Sequence, residues 1–274
     1  MKSKSTIIRY GLSFFLFVLI MLSSFLFVKT NAKQVAAKSN LPFILVPGTS
    51  ATEDRFDGFI DKMIKKVGGK DILKIEVQKD GSLQWTSTLT NNSAHPYIVI
   101  SFADSSEEAV AKQAKWIKLA LDKAHELYIF DAYNALGHSN GGLAWTMYLE
   151  NEPIQTTHQM KKLVTLGTPF DCTLDLENRD PKGTPMVETD MLQALSSSRG
   201  RIPKNLTMIS IAGDIEKTGS DGMVSVESAL ASQGIYKGQV NTYIEKVFYG
   251  EDSQRSELIG NSDVMDYIVR ELYG

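Results

Sequence analysis

A glycine-flanked serine in the middle of the chain constrains the fold more than any other feature. Residues 137–142 read GHSNGG, follow a strand-like run at 129–136 and precede a helix-like run at 143–149. A Gly-x-Ser-x-Gly sequence between a strand and a helix is typical of a nucleophile elbow, in which a strained turn lifts the serine hydroxyl above a sheet. The flanking glycines are needed because a Cβ there would collide with the neighbouring strand or helix. The motif predicts that Ser139 has the position of a nucleophile.

Around this motif, strand-like and helix-like segments alternate along most of the chain. Residues 71–78 and 83–89 alternate apolar with polar side chains on either side of a KDGS turn, which predicts a β-hairpin. Strands that alternate with helices predict the α/β class, with a mostly parallel sheet covered by helices on both faces. Further strands are predicted at 42–46, 97–102, 162–166, 206–212 and 242–249, and further helices at 107–128, 190–195 and 263–272.

Composition excludes several classes of function. The chain has 274 residues and a formal net charge of -3, so no basic surplus points to a nucleic-acid partner. Cys172 is the only cysteine and cannot form an intramolecular disulfide, and the four histidines are too scattered for a metal site. No glycine-rich phosphate loop occurs either. The sequence therefore predicts one domain that works without a cofactor or a metal.

The N-terminal segment predicts export from the cytoplasm. Three basic side chains among residues 1–9 precede an uncharged, mostly apolar run at 11–28, as in a secretory signal. The run is close to the ~20 residues that span a bilayer, so an uncleaved membrane anchor is the alternative. We expect residues 1–37 to be the signal peptide or anchor. Residues 38–274 would form the folded domain, secreted or held at the outer face of the bacterial cytoplasmic membrane.

A serine at an elbow works together with an oxyanion hole, an acid and a histidine base. The hole is normally formed by the backbone N–H of the residue after the nucleophile and by an N–H from the loop after an early strand. In this chain those N–H groups belong to Asn140 and Thr49. The loop at 47–52 (PGTSAT) has the small residues that such a hole requires, although a plain β-turn has a similar composition.

Two aspartates are candidates for the acid. Both follow the predicted strand at 206–212, and the chain order serine, acid, histidine fits either of them. Asp221, in the Ser-Asp-Gly turn at 220–222, is preferred because its small neighbours leave it free to reach the serine. Asp214 is the alternative. An Asx turn or a helix cap is the more common role of a loop aspartate.

Five stretches of this chain together resemble one protein family, the exported α/β-hydrolases of Gram-positive bacteria that are labelled lipase-like cell-surface hydrolases. The resemblance extends from about residue 41 to the C-terminus. It implies a compact α/β-hydrolase fold with an inserted β-hairpin, and esterase or lipase-like activity on short acyl esters. The stretches are ILVPG at 44–48, FDGFI at 56–60, GHSNGG at 137–142, LVTLGTPF at 163–170 and SDG at 220–222.

The chain departs from the family pattern in two places. The family usually begins the oxyanion loop with His-Gly, where this chain has Pro47 and Gly48. The family also carries its catalytic histidine after the last strand, in a His-Ser-x-Leu-His segment. Here the matching segment reads RSELI, so Arg255 and Ile259 stand where the histidines are expected, and no histidine follows His158.

The missing histidine leads to two hypotheses about function. A serine hydroxyl is a poor nucleophile until a base takes its proton, and an arginine side chain stays protonated. The first hypothesis is carboxylic-ester hydrolysis through Ser139, on a short acyl or lipid substrate, with weak activity. The alternative is a catalytically silent relative that binds an acyl or lipid-like ligand or a surface partner. In both cases we expect a monomer with a small-molecule ligand, and a membrane contact only through an uncleaved N-terminal segment.

An active enzyme would need a substitute base. For each histidine, a place on the surface or in the core is the more common explanation, and a carboxylate needs a strongly raised pKa to serve as a base. A further hypothesis is that Arg255 pairs with Asp221 in the place of the histidine. The candidate substitutes are His95, His125, His138, His158, Glu251, Asp252 and Glu257.

Overall fold

Eight strands form one sheet, in the order β3-β2-β4-β1-β5-β6-β7-β8. The computed structural model describes residues 41–90, 93–152, 157–171 and 189–274. All neighbouring strands are parallel except the pair β2 and β3, which is antiparallel. The predicted α/β class, mostly parallel sheet and inserted hairpin are therefore confirmed. The strands are β1 (Phe43–Val46), β2 (Ile72–Val77), β3 (Leu83–Ser87), β4 (Tyr97–Phe102), β5 (Ala132–His138), β6 (Gln159–Leu166), β7 (Thr207–Asp214) and β8 (Thr242–Tyr249).

Helices cover both faces of the sheet because its central strands are apolar on both sides. Every residue of β4 and β5 is buried, so each face needs an apolar cover. One apolar cluster contains Trp145 and lies under α2 and α3, and the other contains Ile268 and lies under α1 and α7. The helices are α1 (Asp57–Val67), α2 (Val110–Leu127), α3 (Asn140–Asn151), α4 (Asp190–Ser198), α5 (Val226–Leu230), α6 (Ser232–Tyr236) and α7 (Ser262–Tyr273).

Several predicted boundaries differ from the structure by up to three residues, and two of these differences lie at turns. The helix expected from residue 107 begins at Val110, because residues 106–109 form turns instead. The strand expected from Ile129 begins at Ala132, and Ile129 is exposed to solvent. In both places the run of apolar residues continues across a turn, so the periodicity of the sequence does not mark the change.

The parallel arrangement determines where a site can form. β1, β5, β6, β7 and β8 run in the same direction, so the loops that follow them meet at one edge of the sheet. The predicted nucleophile, oxyanion-hole residues and acids lie in those loops or at the strand and helix ends next to them. In an open parallel sheet this edge is the usual location of a ligand site.

Residues 40–274 form one compact unit, which contains both large apolar clusters and the described loops at this sheet edge. The predicted signal peptide or anchor at 1–37 lies outside the described residues, as does Cys172. In the part of the chain that is described, no helix is both long enough and apolar enough to cross a membrane.

Candidate active site

The strand-to-helix turn at Ser139 has the backbone of a nucleophile elbow. β5 ends at His138 and α3 begins at Asn140, so Ser139 is the whole connection, with φ 55° and ψ -131°. A conformation of this kind costs a residue with a side chain on the order of 1–3 kcal/mol. In the described structure three hydrogen bonds hold it: the Ser139 N–H donates to Leu166 O at 2.9 Å, and Ser139 O accepts from the Gly142 N–H at 2.9 Å and from Thr168 Oγ1 at 3.0 Å.

The glycines of the motif are required by close packing. A Cβ on Gly141 would lie 2.2 Å from the carbonyl oxygen of Val46, and one on Gly137 would lie 2.5 Å from the Gly142 backbone. No side chain fits at such distances. The reason inferred from the sequence for these glycines therefore agrees with the structure.

Thr49 and Asn140, the predicted oxyanion-hole residues, lie close to Ser139 and to each other. The Asn140 side-chain amide donates to Thr49 Oγ1 at 2.6 Å, which ties the two loops together. Asn140 is the first residue of a helix, so its N–H has no carbonyl oxygen within the helix to which it could donate a hydrogen bond. Thr49 N–H has no backbone acceptor within the described residues. Gly48 lets this loop approach, since a Cβ there would lie 2.6 Å from Ser139 Cβ.

Asp221 is buried beside the serine loop with one oxygen unused. Its Oδ1 accepts from the N–H groups of Met223 at 3.0 Å and Val224 at 2.7 Å, which is an Asx turn. Its Oδ2 is buried without a hydrogen-bond partner and would lie 3.1 Å from a Cβ on Gly167. Burial raises the pKa of Asp221, while the two N–H groups and the charge of Arg255 act in the opposite direction.

The side chain of Asp214, the alternative acid, forms a hydrogen bond with the backbone. It is the last residue of β7, and its Oδ1 accepts from the Gly219 N–H at 2.9 Å. The backbone of Asp221 contacts the segment that replaces the expected histidine, because its carbonyl oxygen accepts from the Arg255 N–H at 3.0 Å. The geometry therefore favours Asp221.

Arg255 reaches the serine itself. Its Nη2 donates to Ser139 Oγ in a short contact, and its Nη1 lies 3.8 Å from the sulfur of Met223. Burial lowers the pKa of Arg255, while the charges of Asp221 and Glu107 raise it. A guanidinium stays protonated under such influences. No ion pair joins Arg255 to Asp221 in the described structure, because the guanidinium extends past the carboxylate to the serine.

Ile259, the second expected histidine position, belongs to the core. Its side chain is buried in the apolar cluster under α1 and α7, together with Leu258. The sequence could not separate the two positions, since they are four residues apart in one matching segment. The structure brings only Arg255 to Ser139.

None of the four histidines forms a hydrogen bond with Ser139 Oγ. His138 is buried, and its Nε2–H donates to the carbonyl oxygen of Arg255 at 3.1 Å. Burial, and then the charge of Arg55, lower the pKa of His138 to about 3, so the ring is neutral and a poor base. His158 stacks on His125 with 4.7 Å between ring centroids, and His95 packs edge-on against Tyr273.

Two cavities meet at Arg255. The first has a volume of about 570 Å³ and includes Ser139 in its lining, and the second has about 490 Å³, with six apolar residues among its ten described lining residues. Both volumes lie in the range of roughly 300–1,000 Å³ that small-molecule sites occupy. The acids Glu251, Asp252 and Glu257 are exposed and line neither cavity. Glu107, which lines both, is not predicted from the sequence, because it precedes α2 and is distant in sequence from the motifs.

Metal ligands do not cluster at this edge. Over the residues that the structure describes, no group of three or more histidines, cysteines, aspartates or glutamates could hold a metal ion. The described cleft therefore offers a serine, backbone N–H groups, an unused carboxylate oxygen and a guanidinium.

Comparison with known proteins places this arrangement in a family. Residues 30–274 match the family described as alpha/beta hydrolase of unknown function (DUF915). A Listeria innocua gene product of known structure is 25% identical, with a TM-score of 0.79 over 85% of this chain and 94% of that one. A candidate cell surface hydrolase from Lactobacillus plantarum is 31% identical, with a TM-score of 0.71 over 86% of this chain and 92% of that one.

A lipase from Bacillus licheniformis shares the fold alone, at 11% identity and a TM-score of 0.51 over 85% of this chain and 92% of that one. Curated proteins show no sequence match to the chain. The family match covers nearly all of the described residues, and the similarity to the Gram-positive proteins confirms the resemblance drawn from the motifs. The chain belongs to the family of alpha/beta hydrolases of unknown function.

Proposed function

We propose that this protein binds a ligand in the serine cleft and does not hydrolyse it. The observation that carries the proposal is the hydrogen bond from the Arg255 guanidinium to Ser139 Oγ. A serine attacks with an oxygen lone pair after a base has taken its proton. The guanidinium has no lone pair to accept a proton, and it donates a hydrogen bond to the oxygen that would attack. The contact therefore works against the first step of ester hydrolysis.

The size of the rate loss that follows from a missing base indicates an inactive protein rather than a slower enzyme. Removal of the base from a serine hydrolase costs about 10⁶ in turnover. The oxyanion hole and substrate binding alone leave roughly 10³–10⁴ over the reaction in water. The described residues offer no replacement base, since His138 donates to Arg255 O and the other histidines line neither cavity.

Ester hydrolysis at a low rate is the second candidate. It is favoured by the unused Oδ2 of Asp221, which is buried beside Arg255 where a triad acid would hold a histidine. The elbow at Ser139 and the loop at Thr49 also keep the geometry of a hydrolase. In this hypothesis the substrate is a short acyl or lipid ester.

A location outside the cytoplasm is part of the proposal. It is supported by the basic and apolar pattern of residues 1–37 and by the similarity to the candidate cell surface hydrolase from Lactobacillus plantarum. We propose a monomer, secreted or anchored at the outer face of the membrane, with a small ester- or lipid-like molecule as its ligand.

Hydrolysis of p-nitrophenyl butyrate by residues 38–274 tests the proposal, with Ser139→Ala as the matched background. We expect the two proteins to have the same rate. Covalent labelling of Ser139 by a fluorophosphonate should also fail, because labelling needs the same activated oxygen. A wild-type rate more than about tenfold above Ser139→Ala would refute the proposal and support the weak esterase, since a tenfold rate difference is about 1.4 kcal/mol of transition-state stabilisation.

A further inference from the structure

We infer that the ligand of this cleft is an amphiphilic carboxylate: its carboxylate binds at Arg255 and its unbranched apolar chain lies in the second cavity. The inference rests on the proposed function, because an active esterase would use the same space for an ester. It goes further by naming the chemical class that the cleft selects.

The position of Arg255 is the first argument. Arg255 lines both cavities, so it lies between a cavity whose described lining residues are mostly polar and one in which six of ten are apolar. A guanidinium has five N–H donors in a planar fork that matches a carboxylate. Only one contact of that fork is made to Ser139 Oγ. The remaining donors are suited to a two-oxygen acceptor.

The charge of the polar cavity is the second argument. Arg55 also lines it and is fixed by a 3.0 Å hydrogen bond from Nη2 to the carbonyl oxygen of Ser256. Glu107 is the only carboxylate among the described residues of the lining, and it is exposed to solvent. His138 adds no charge because it is neutral. In the described lining, Arg55 and Arg255 therefore face Glu107, beside the N–H groups of Thr49 and Asn140, and the charge of Asp221 acts on Arg255 from outside the lining.

The second cavity supplies the apolar part of the site. Met223 is 59% exposed at its edge, which is unusual for so large an apolar side chain. Methionine adapts its shape to apolar ligands, because its side chain is flexible and polarizable. The apolar side chains in the lining are Val110, Leu143, Pro169, Met191, Met223 and Val224.

A carboxylate suits this cleft better than an ester. Hydrogen bonds to an ionised acceptor are about twice as strong as those to a neutral carbonyl oxygen. Among the described residues no carboxylate forms an ion pair with Arg255, and an acid would supply one where an ester would not. The apolar chain of the acid would move from water into the second cavity.

Calorimetric titration of residues 38–274 with octanoate tests the inference, and octanol, octylamine and inorganic phosphate serve as comparison ligands. We expect octanoate to bind at least tenfold more tightly than octanol and octylamine. From hexanoate to decanoate, each added methylene should strengthen binding roughly fourfold at most, from the hydrophobic transfer energy of one methylene. Arg255→Met should weaken octanoate binding to the level of octanol. Arg201→Met, an exposed arginine that lines neither cavity, is the matched control and should change nothing.

A second variant tests the apolar part if Arg255→Met does not fold. Met191 is half-buried in the second cavity, so Met191→Gln should reduce the gain per methylene while butyrate binds as before. Equal binding of octanol and octanoate would overturn the inference, as would full binding by folded Arg255→Met. Binding of phosphate together with no effect of chain length would show a site for small anions only, which also overturns it. Octanoate is also titrated into Ser139→Ala, which cannot hydrolyse esters through Ser139. Octanoate binding is thereby measured independently of ester hydrolysis, so a failure of this inference can be distinguished from a failure of the proposed function.

Discussion

Arg255→His is expected to turn the cleft into an esterase. The backbone at position 255 is already fixed next to the acid, because its N–H donates to Asp221 O at 3.0 Å. Arg255 Cγ and Asp221 Oδ2 both lie within 4 Å of the position of a Cβ on Gly167. An imidazole built from that Cγ can place its Nδ1–H near the unused Oδ2. The other ring nitrogen would then point in the direction in which the arginine now reaches Ser139.

The expected gain follows from the role of the new base. General acid–base catalysis by a well-placed group contributes roughly 10²–10⁴ in rate. We expect that range rather than the full 10⁶ or so lost with a native base, since the imidazole is shorter than the arginine and the site has not adapted to it. Removal of the acid in the same background, by Asp221→Asn, should lower the gain by up to about 10⁴ because the imidazole would lose its orientation.

The assay is hydrolysis of p-nitrophenyl butyrate by Arg255→His, with the double variant Ser139→Ala/Arg255→His as background. The rate should rise with pH as the imidazole loses its proton, near or above its usual pKa of about 6.5 because the carboxylate of Asp221 stabilises the charged ring. If the folded variant were no faster than the double variant at any pH, the reasoning would be refuted. The missing base would then not be the only defect, and Pro47, where the family has histidine, would be the next residue to change.

Three further predictions concern stability and are measured by urea unfolding of residues 38–274. Ile259→His should give no esterase activity and should lower the free energy of unfolding by roughly 1–3 kcal/mol, because an imidazole would be buried without a partner. Gly48→Ala should lower it by roughly 1–3 kcal/mol, since the new Cβ would lie 2.6 Å from Ser139 Cβ. Its control, Gly58→Ala, meets nothing within 4 Å and should be neutral or stabilising; equal losses in both would contradict the packing argument. Burial raises the pKa of Glu150 from 4.5 to about 8, so the folded state keeps a proton that the unfolded chain releases. Stability should therefore decrease from pH 4.5 to 8, and Glu150→Gln should remove most of that dependence; an unchanged pH profile would show that another group is responsible.

The elbow could be predicted from the sequence because its constraints are local. Glycines at fixed spacing between a strand and a helix can hardly pack in another way, and the contacts of Gly141 with Val46 show the reason. The alternation of strands and helices was equally informative, since each segment carries its own apolar pattern. Boundaries such as Ile129 were less certain, because an apolar run can continue through a turn.

The chemistry of the site depended on contacts that the sequence does not contain. Arg255 and Ile259 were equivalent in a matching segment, and only the fold sends one to Ser139 and the other to the core. The pairing of Arg255 with Asp221 was a reasonable expectation from charge alone. It is absent from the described structure because the guanidinium has a longer reach than the ring it replaces.

The strained backbone of Ser139 is weak evidence for catalysis in this chain. Strain persists only where the surrounding structure enforces it, and here the enforcing contacts are those of the glycines with the neighbouring strand and the hydrogen bond from Thr168. Loss of the base would remove none of these contacts, so the elbow would survive the loss of its function. What distinguishes a working site from a silent one is the partner of Ser139 Oγ. In this protein that partner is a cation, which cannot accept a proton. A cleft with this charge is suited to bind a carboxylate rather than to release one by hydrolysing an ester.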